Sequence, residues 1–428
     1  MIRLGGVSGR HRMPTRRIEA RAAVSVGLGA LAGGCVPRGA GRSFGDAAVA
    51  PGGHTIVSDE LTGVSAVDDG VVTVEAGATL GAVARVLAGT AHGLPVAGGT
   101  RHVTVGGAIA SDIHGKNDPD QGSFGHHVDA LELALADGSR VWCSPRREPE
   151  LFAATVGGMG LTGVILRARL RLVCRPHEGI LRSRHRFEGV KALVACFDAH
   201  PAPWQAAWCD HTGGSVRGVL HTAVPGPPPP PAARTFDLPL PRVRLYRRSV
   251  VAALNARILA EPDAAGVPGH LWDLVWSVDR LRAWDAPHGR RGCDELQFAC
   301  PADRFPDALE RVVRFCEDAG ARPAFAMVKR LGPKPRVGLL SFPRAGFTWT
   351  ANISHAAGNA ALFREIFTRI VIPSGGRGYL AKDAAMTPEQ VAAMYPQLAQ
   401  WQAVVREVDP RGRLQSGLSR RLELKPWA

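Results

Sequence analysis

The stretch 98–117, GGTRHVTVGGAIASDIHGKN, constrains the fold of this chain more than any other. Five glycines fall in it, four of them as the pairs Gly98-Gly99 and Gly106-Gly107. Between the pairs lies the run 102–105, too short for a helix and too β-branched to favour one. Paired glycines let backbone approach a ligand with no Cβ in the way, and successive N–H groups can converge on anionic oxygens. The second pair opens into Ala108-Ile109-Ala110, which reads as a helix start, so a phosphate can also meet a helix N-terminus there. The run closes on Asp112, His114 and Lys116, ionisable groups crowded around Gly115. For one glycine pair alone, a ligand-free turn explains the pattern as well as a ligand does.

Two further glycine clusters change that balance. Residues 38–46 read RGAGRSFGD and residues 156–163 read VGGMGLTG. The first lacks the Gly-Lys-Ser/Thr of a nucleotide triphosphatase loop, and its spacing is wrong for the dinucleotide fingerprint. Its three glycines, serine hydroxyl and two arginines still suit a pyrophosphate. Three such loops in the first part of the chain predict one large dinucleotide lying across several of them.

Charge and cysteine usage narrow the partners. With 52 basic and 38 acidic residues the chain carries a formal +14, which favours anionic partners. The positive charge is scattered and no nucleic-acid motif is present, so a phosphorylated substrate or a membrane surface ranks above nucleic acid, which is not expected as a partner. Only six of the basic residues are lysines, and Lys116, Lys329 and Lys382 lie in or beside the runs discussed below. The eight cysteines form no C-x-x-C pair, so no metal site is expected and free thiols in a reducing compartment are. At 428 residues two domains are expected.

Along the chain, 21–34 is expected as a first helix. The alternative is an export signal built on Arg16-Arg17 and the apolar run ending at Cys35. The helix is preferred, because cleavage at Cys35 would remove the strand that frames the first loop. No segment reaches the roughly 20 apolar residues of a membrane span. Residues 64–67 and 70–75 predict a hairpin around Asp68-Asp69-Gly70, 80–87 a helix, and 130–136 with 140–143 two strands around Asp137-Gly138. Residues 149–155 predict a short helix and 163–173 a strand. Five prolines at 227–231 predict an extended linker. Residues 296–301 read as a strand and 302–319 as a helix. Thr387-Pro388-Glu389-Gln390 is a capping box that starts a helix running past Tyr395.

The first loop, 95–117, 122–125 (GSFG) and 154–163 together resemble the FAD-binding domain of the vanillyl-alcohol-oxidase type flavoproteins. Within that superfamily the run DIHGKN is most similar to the decaprenylphosphoryl-ribose 2-oxidases. So are YLAKD at 379–383, Met394-Tyr395-Pro396, Val408-Asp409-Pro410 and Arg420-Arg421-Leu422-Glu423. The likeness spans most of the chain, specific at both ends and loose in the middle. It implies an α+β fold, a two-part FAD-binding domain of that type with an inserted α+β substrate (cap) domain. The implied limits are 1–177 for the FAD domain, 178–376 for the cap and 377–428 for the return to the FAD domain.

The resemblance also implies site residues. The FAD pyrophosphate lies against Arg38, Gly39, Ala40, Gly41, Arg42, Ser43, Phe44, Gly45 and Asp46, and against Gly99 to Gly107. The flavin lies near Ile113, His114, Gly115 and Lys116, with Gly160, Ile165 and Tyr379 also on the cofactor. Thr100, Thr104 and Ser111 offer hydroxyl hydrogen bonds. Covalent relatives often carry histidine where Arg42 stands, so FAD is expected to be non-covalent, His114 being the alternative attachment point. Lys382, His114 and Lys116 are the catalytic candidates, and Gln297, Lys329 and Lys382 the substrate-binding ones. Lys382 can serve as a base, if its ammonium is desolvated or crowded by another cation, or as a fixed cation. Bland readings stand beside these: His114 and Tyr379 as core residues, Gln297 as a solvated strand residue, Lys329 as a strand-end cation.

The function implied is oxidation of a secondary sugar hydroxyl, C2 of a polyprenylphosphoryl-ribose, by hydride transfer to flavin. A separate keto-reductase partner and peripheral membrane contact go with it, in the cytoplasm or at the inner membrane, an exported form staying open. An aldonolactone or alditol oxidase is the alternative, and a flavin-binding protein without turnover a further one. The departures gather on the substrate side. Phe44 replaces a usual tyrosine, Glu295 a usual glutamine, 281–291 a sugar-facing segment, and 342–350 has threonine where some relatives have cysteine.

Overall fold

The structure is a computed structural model and describes residues 1–7, 12–229, 242–280 and 284–427. Pro230 and Pro231 of the proline run, and 281–283 of the segment 281–291, lie outside those residues.

Helices and strands alternate along the chain, and the strands gather into three main sheets. The first joins Ile2–Leu4, Met13–Glu19, His54–Val57 and Cys35–Arg38 in that order, the last three parallel. The second is antiparallel, in the order Val71–Glu75, Val164–Arg171, Val128–Ala134, Arg140–Cys143. Val164–Arg171 alternates buried and exposed residues over its second half, one face on the core and one in water. On the core side lies the helix Leu80–Leu87, with Leu80, Val83, Ala84 and Leu87 buried at helical spacing and Thr79 as its cap.

The third sheet has eight antiparallel strands. Their order is Ala264–His270, Gly179–Glu188, Arg217–Pro225, Trp204–Asp210, Pro323–Leu331, Gly346–Ser354, Cys293–Cys300, Arg377–Gly378. Leu296, Phe298, Phe347, Trp349 and Ala351 share a core with Val190–Ala199 and Phe305–Asp318. The residues that alternate with them, Glu295, Gln297, Thr348, Thr350 and Asn352, therefore point to the opposite face, and this face carries the site.

Several elements differ from expectation. The helix predicted over 21–34 is Ala20–Val26. It stops at Gly27, whose φ is +87°, and a short 3-10 turn, Leu28–Ala30, follows. The helix begun by Thr387 is Pro388–Met394, ending short of Tyr395 because a residue before proline disfavours helical backbone. A separate helix, Leu398–Val408, follows. The strand over 163–173 divides into Val164–Arg171 and Val173–Cys174, the latter pairing with His92–Gly93. Arg16 and Arg17 lie in the strand Met13–Glu19.

The C-terminal segment closes the first sheet. Cys35 N donates to Arg413 O at 2.7 Å, and Gln415 N donates to Cys35 O at 2.8 Å. Cys35, Cys143, Cys174, Cys196, Cys209, Cys300 and Cys316 are free thiols. Among the described residues no helix is long and apolar enough to cross a membrane.

Candidate active site

The three glycine loops meet. A Cβ on Gly39 would overlap Thr104 Oγ1, and one on Gly45 would overlap the carbonyl of Asp383, so the first loop packs at both places only around glycine. Gly160 sits against Pro37, and Gly157 N donates to Ile109 O at 2.9 Å.

The second glycine pair does not precede a helix but lies inside one, Val105–Ala110, capped by Thr104, whose Oγ1 accepts from Gly107 N at 3.2 Å. Val105 N and Gly106 N donate to Ala78 O and Ala76 O, each at 2.8 Å. The amides expected to meet a phosphate at this helix start are thus already bonded within the protein. The first loop is the opposite case. The amides of Gly39, Ala40, Gly41, Arg42 and Ser43 have no acceptor among the described residues. Ala40, Gly41 and Arg42 line a cavity of about 430 Å³ together with Arg3, Arg12, Arg38 and Arg242. Consecutive free amides under a cluster of guanidinium groups fit an anionic diphosphate.

Other residues expected on the cofactor are engaged with protein. Arg38 braces the loop by donating to Gly5 O at 2.8 Å and Ala48 O at 3.3 Å. Asp46 pairs with Arg421 at 3.0 Å, and Arg421 reaches Asp383 at 2.8 Å. Thr100 Oγ1 donates to Asp279 Oδ1 at 2.6 Å, and Arg101 N donates to the other oxygen at 2.7 Å. Ser111 closes the helix Val105–Ala110, and its carbonyl accepts from Tyr379 Oη at 2.9 Å. Ile165 is buried in the second sheet opposite Leu133. Gly99 faces open space, with nothing within 4 Å of where a Cβ would stand. Gly107 lies inside the capped turn, Gly115 is held against Asn117 Oδ1, and Ile113 is buried.

Beyond Gly99 the ionisable groups converge. Gln297 Nε2 donates to His114 Nε2 at 3.0 Å and to Thr348 Oγ1 at 3.2 Å. With Nε2 accepting, the proton of the neutral ring sits on Nδ1, which has no partner among the described residues. Burial, then Lys329 and Lys382, hold His114 well below its usual range. Its ring lies 5.5 Å from Phe342 and 5.9 Å from Tyr379, which stack on each other at 4.5 Å.

Lys382 Nζ lies 3.1 Å from Glu295 Oε1 and 4.2 Å from the centroid of Phe44. Glu295 also accepts from Thr350 Oγ1 at 2.7 Å and Asn352 Nδ2 at 3.0 Å. Lys329 stands on the neighbouring strand opposite Thr348, and burial, then Lys382, bring it down to about 8. Asp279, the pairing of Arg421 with Asp46 and Asp383, and that of Glu295 with Lys382 went unforeseen. Glu295 itself carried a signal, as an acid where glutamine is usual; Asp279 carried none.

Lys116 turns toward the helix Leu271–Val275. Its Nζ donates to Leu274 O and lies 3.4 Å from Ser277 Oγ. Burial, then Lys329, lowers it from 10.5 to about 7. Between those values the unfolded chain holds one more proton, so this group makes the folded protein gain stability as pH rises from about 7. Melting temperature is expected to climb between about pH 7 and 9, and to climb less in Lys116→Met. Equal slopes for the two proteins would contradict this placement.

Comparison with known proteins places this geometry in context. The profile of FAD binding domains matches residues 34–144, and that of D-arabinono-1,4-lactone oxidase matches 294–422. Decaprenylphosphoryl-beta-D-ribose oxidase of Mycolicibacterium smegmatis is 32% identical over 95% of this chain and 92% of its own. An uncharacterised Streptomyces coelicolor protein is also 32% identical, over 77% of this chain and 96% of its own. A solved xylooligosaccharide oxidase from Myceliophthora thermophila superposes with a TM-score of 0.68 at 16% identity, covering 97% of this chain and 92% of that one. This last likeness is one of fold.

Proposed function

The chain belongs to the FAD-dependent sugar oxidase family of decaprenylphosphoryl-beta-D-ribose oxidase, and from that premise we propose that its substrate is a polyprenylphosphoryl-ribose oxidised at C2. FAD is its cofactor and a sugar hydroxyl its target, as in the family. The observation that carries the finer reading is the gathering of Lys382, Lys329, His114 and Gln297 beside the free amides of the first loop.

FAD, when bound, supplies the hydride acceptor. We assign its diphosphate to the first-loop amides and the arginine-lined cavity. Gly99, Ile113, Gly115 and Tyr379 shape the flavin side. Arg42 stands where covalent relatives carry histidine, and on that ground the cofactor is held without a covalent bond. Residues 1–177 and 377–428 hold it, and 178–376 form the cap.

Lys382 acts as a fixed cation. It is paired with the Glu295 carboxylate and lies over the Phe44 ring. The ammonium polarises the C2 hydroxyl and stabilises the negative charge that grows as the proton leaves. The hydroxyl proton passes to the Glu295 carboxylate, beside which Lys382 stays protonated throughout. Gln297 and the Nδ1–H of His114 orient sugar oxygens, and Lys329 meets the phosphate. The role of Lys116 is to hold the cap turn at Leu274 and Ser277 over the site. A separate reductase consumes the ketone, and the enzyme works at the inner membrane surface.

The match of 294–422 to D-arabinono-1,4-lactone oxidase favours a second reading, oxidation of a free aldonolactone or alditol. Purified protein is expected to be yellow, to release all of its flavin into the supernatant on acid precipitation, and to bleach anaerobically with a phosphoribosyl lipid. Flavin left in the pellet would refute non-covalent binding. Bleaching by free polyols but not by the lipid would select the second reading. No bleaching by either would mean a flavoprotein without sugar turnover.

A further inference from the structure

Of the eleven large apolar side chains exposed among the described residues, six fall within 243–267. Three of them, Val250, Leu254 and Ile258, recur every fourth residue along the helix Arg248–Ala260 and form one outward ridge. The adjoining face anchors the helix. Val251 and Asn255 are buried, Asn255 Nδ2 donates to Asp210 Oδ1 at 2.6 Å, and Arg184 donates to the carbonyls of Ile258 and Glu261. The ridge is therefore held facing water, with Leu254 at 51% exposure and Val243 at 48% just ahead of the helix. Apolar surface gathered in this way marks a contact site.

Charge identifies what it contacts. Residues 242–260 contain five arginines and no acidic residue. Two copies set face to face would bring like charges together, whereas acyl chains under anionic headgroups satisfy both the apolar ridge and the arginines. The patch also borders the site. Arg242 pairs with Asp285 at 3.0 Å, Leu245 N donates to Pro287 O at 2.9 Å, and Arg242, Trp284 and Asp285 line the arginine-rich cavity of the first loop. Trp284 lies 6.1 Å from Phe44, over which Lys382 sits.

We propose that 243–258 docks this protein on an anionic lipid bilayer, with Val243, Leu245, Val250, Leu254 and Ile258 entering the interface and Arg244, Arg247 and Arg257 meeting the headgroups. The mouth of the cavity then opens at the membrane surface. The lipid-linked reading above supplies the purpose of such a surface, but the test contains no substrate, so either can fail alone.

The FAD-loaded full chain is floated with vesicles of phosphatidylcholine, and with vesicles of equal parts phosphatidylcholine and phosphatidylglycerol. Binding is expected on the second kind, weakening as salt rises. Leu254→Asp with Ile258→Asp is expected to reduce it by about tenfold or more, as is Arg247→Glu with Arg257→Glu. Both variants should keep their bound-flavin spectrum and their melting temperature. The arginine variant, changed only at exposed heads, keeps the test decisive if the apolar one fails to fold. Failure of the wild type to float with anionic vesicles would overturn the proposal. So would undiminished binding by a folded variant, or a wild-type dimer that Leu254→Asp dissociates, which would make the ridge a self-interface.

Discussion

Lys382→Met is expected to lower kcat on the sugar substrate about 100- to 1000-fold while leaving bound flavin unchanged. Methionine keeps the length and apolar stem of lysine, so the turn Leu380–Lys382 and the packing on Phe44 survive. What is lost is a charge fixed beside the reacting oxygen, where low dielectric makes it worth several kcal/mol. Lys382→Arg separates the two roles open to this side chain. A guanidinium remains charged at any working pH, so it can restore part of a cation's effect and none of a base's. Stopped-flow reduction of the flavin measures both variants. A methionine variant within a few-fold of wild type would remove Lys382 from the chemistry, and an arginine variant as slow as methionine would favour a base.

The second large effect is expected on stability. Arg421 is the shared partner of Asp46 and Asp383, whose side chains are 5% and 2% exposed. Arg421→Met leaves two buried carboxylates without their cation, at a cost of about 3–5 kcal/mol. Replacing both acids by asparagine in the same background should recover much of this, because the uncompensated charge goes with them. Denaturant midpoints of the three proteins check the expectation, and a single variant as stable as wild type would disprove it. Because Asp383 follows Lys382 and accepts from the amides of Ala385 and Met386, each at 2.8 Å, Arg421→Met should also slow turnover.

How much of this was legible in the sequence depends on how far apart the deciding residues lie. The helices Leu80–Leu87 and Pro149–Thr155 and the strand Arg140–Cys143 match their predictions, because caps, prolines and turn residues beside them decide their limits. The Asp69-Gly70 turn has φ of +46° and +69°, as its residue types indicate. The start of Val105–Ala110 was misjudged because Ala76 and Ala78, from an earlier turn, take the amides that looked free. The motif runs named the residues of the site, yet not their partners. Thr100 and Asp279 lie 179 positions apart, and Glu295 meets Lys382 only after the eight-stranded sheet has set its register. Such pairings leave no local pattern. A lone glutamic acid in a strand reads the same whether it faces water or an ammonium.

The first loop leaves the ribosome well before its braces do. Cys35 waits for Arg413 and Gln415, Gly45 for Asp383, and Asp46 for Arg421. A nascent polypeptide therefore carries an unfinished dinucleotide cradle through most of its translation. Cofactor capture waits on those later segments, and the opening that FAD enters is shut from more than 300 residues downstream.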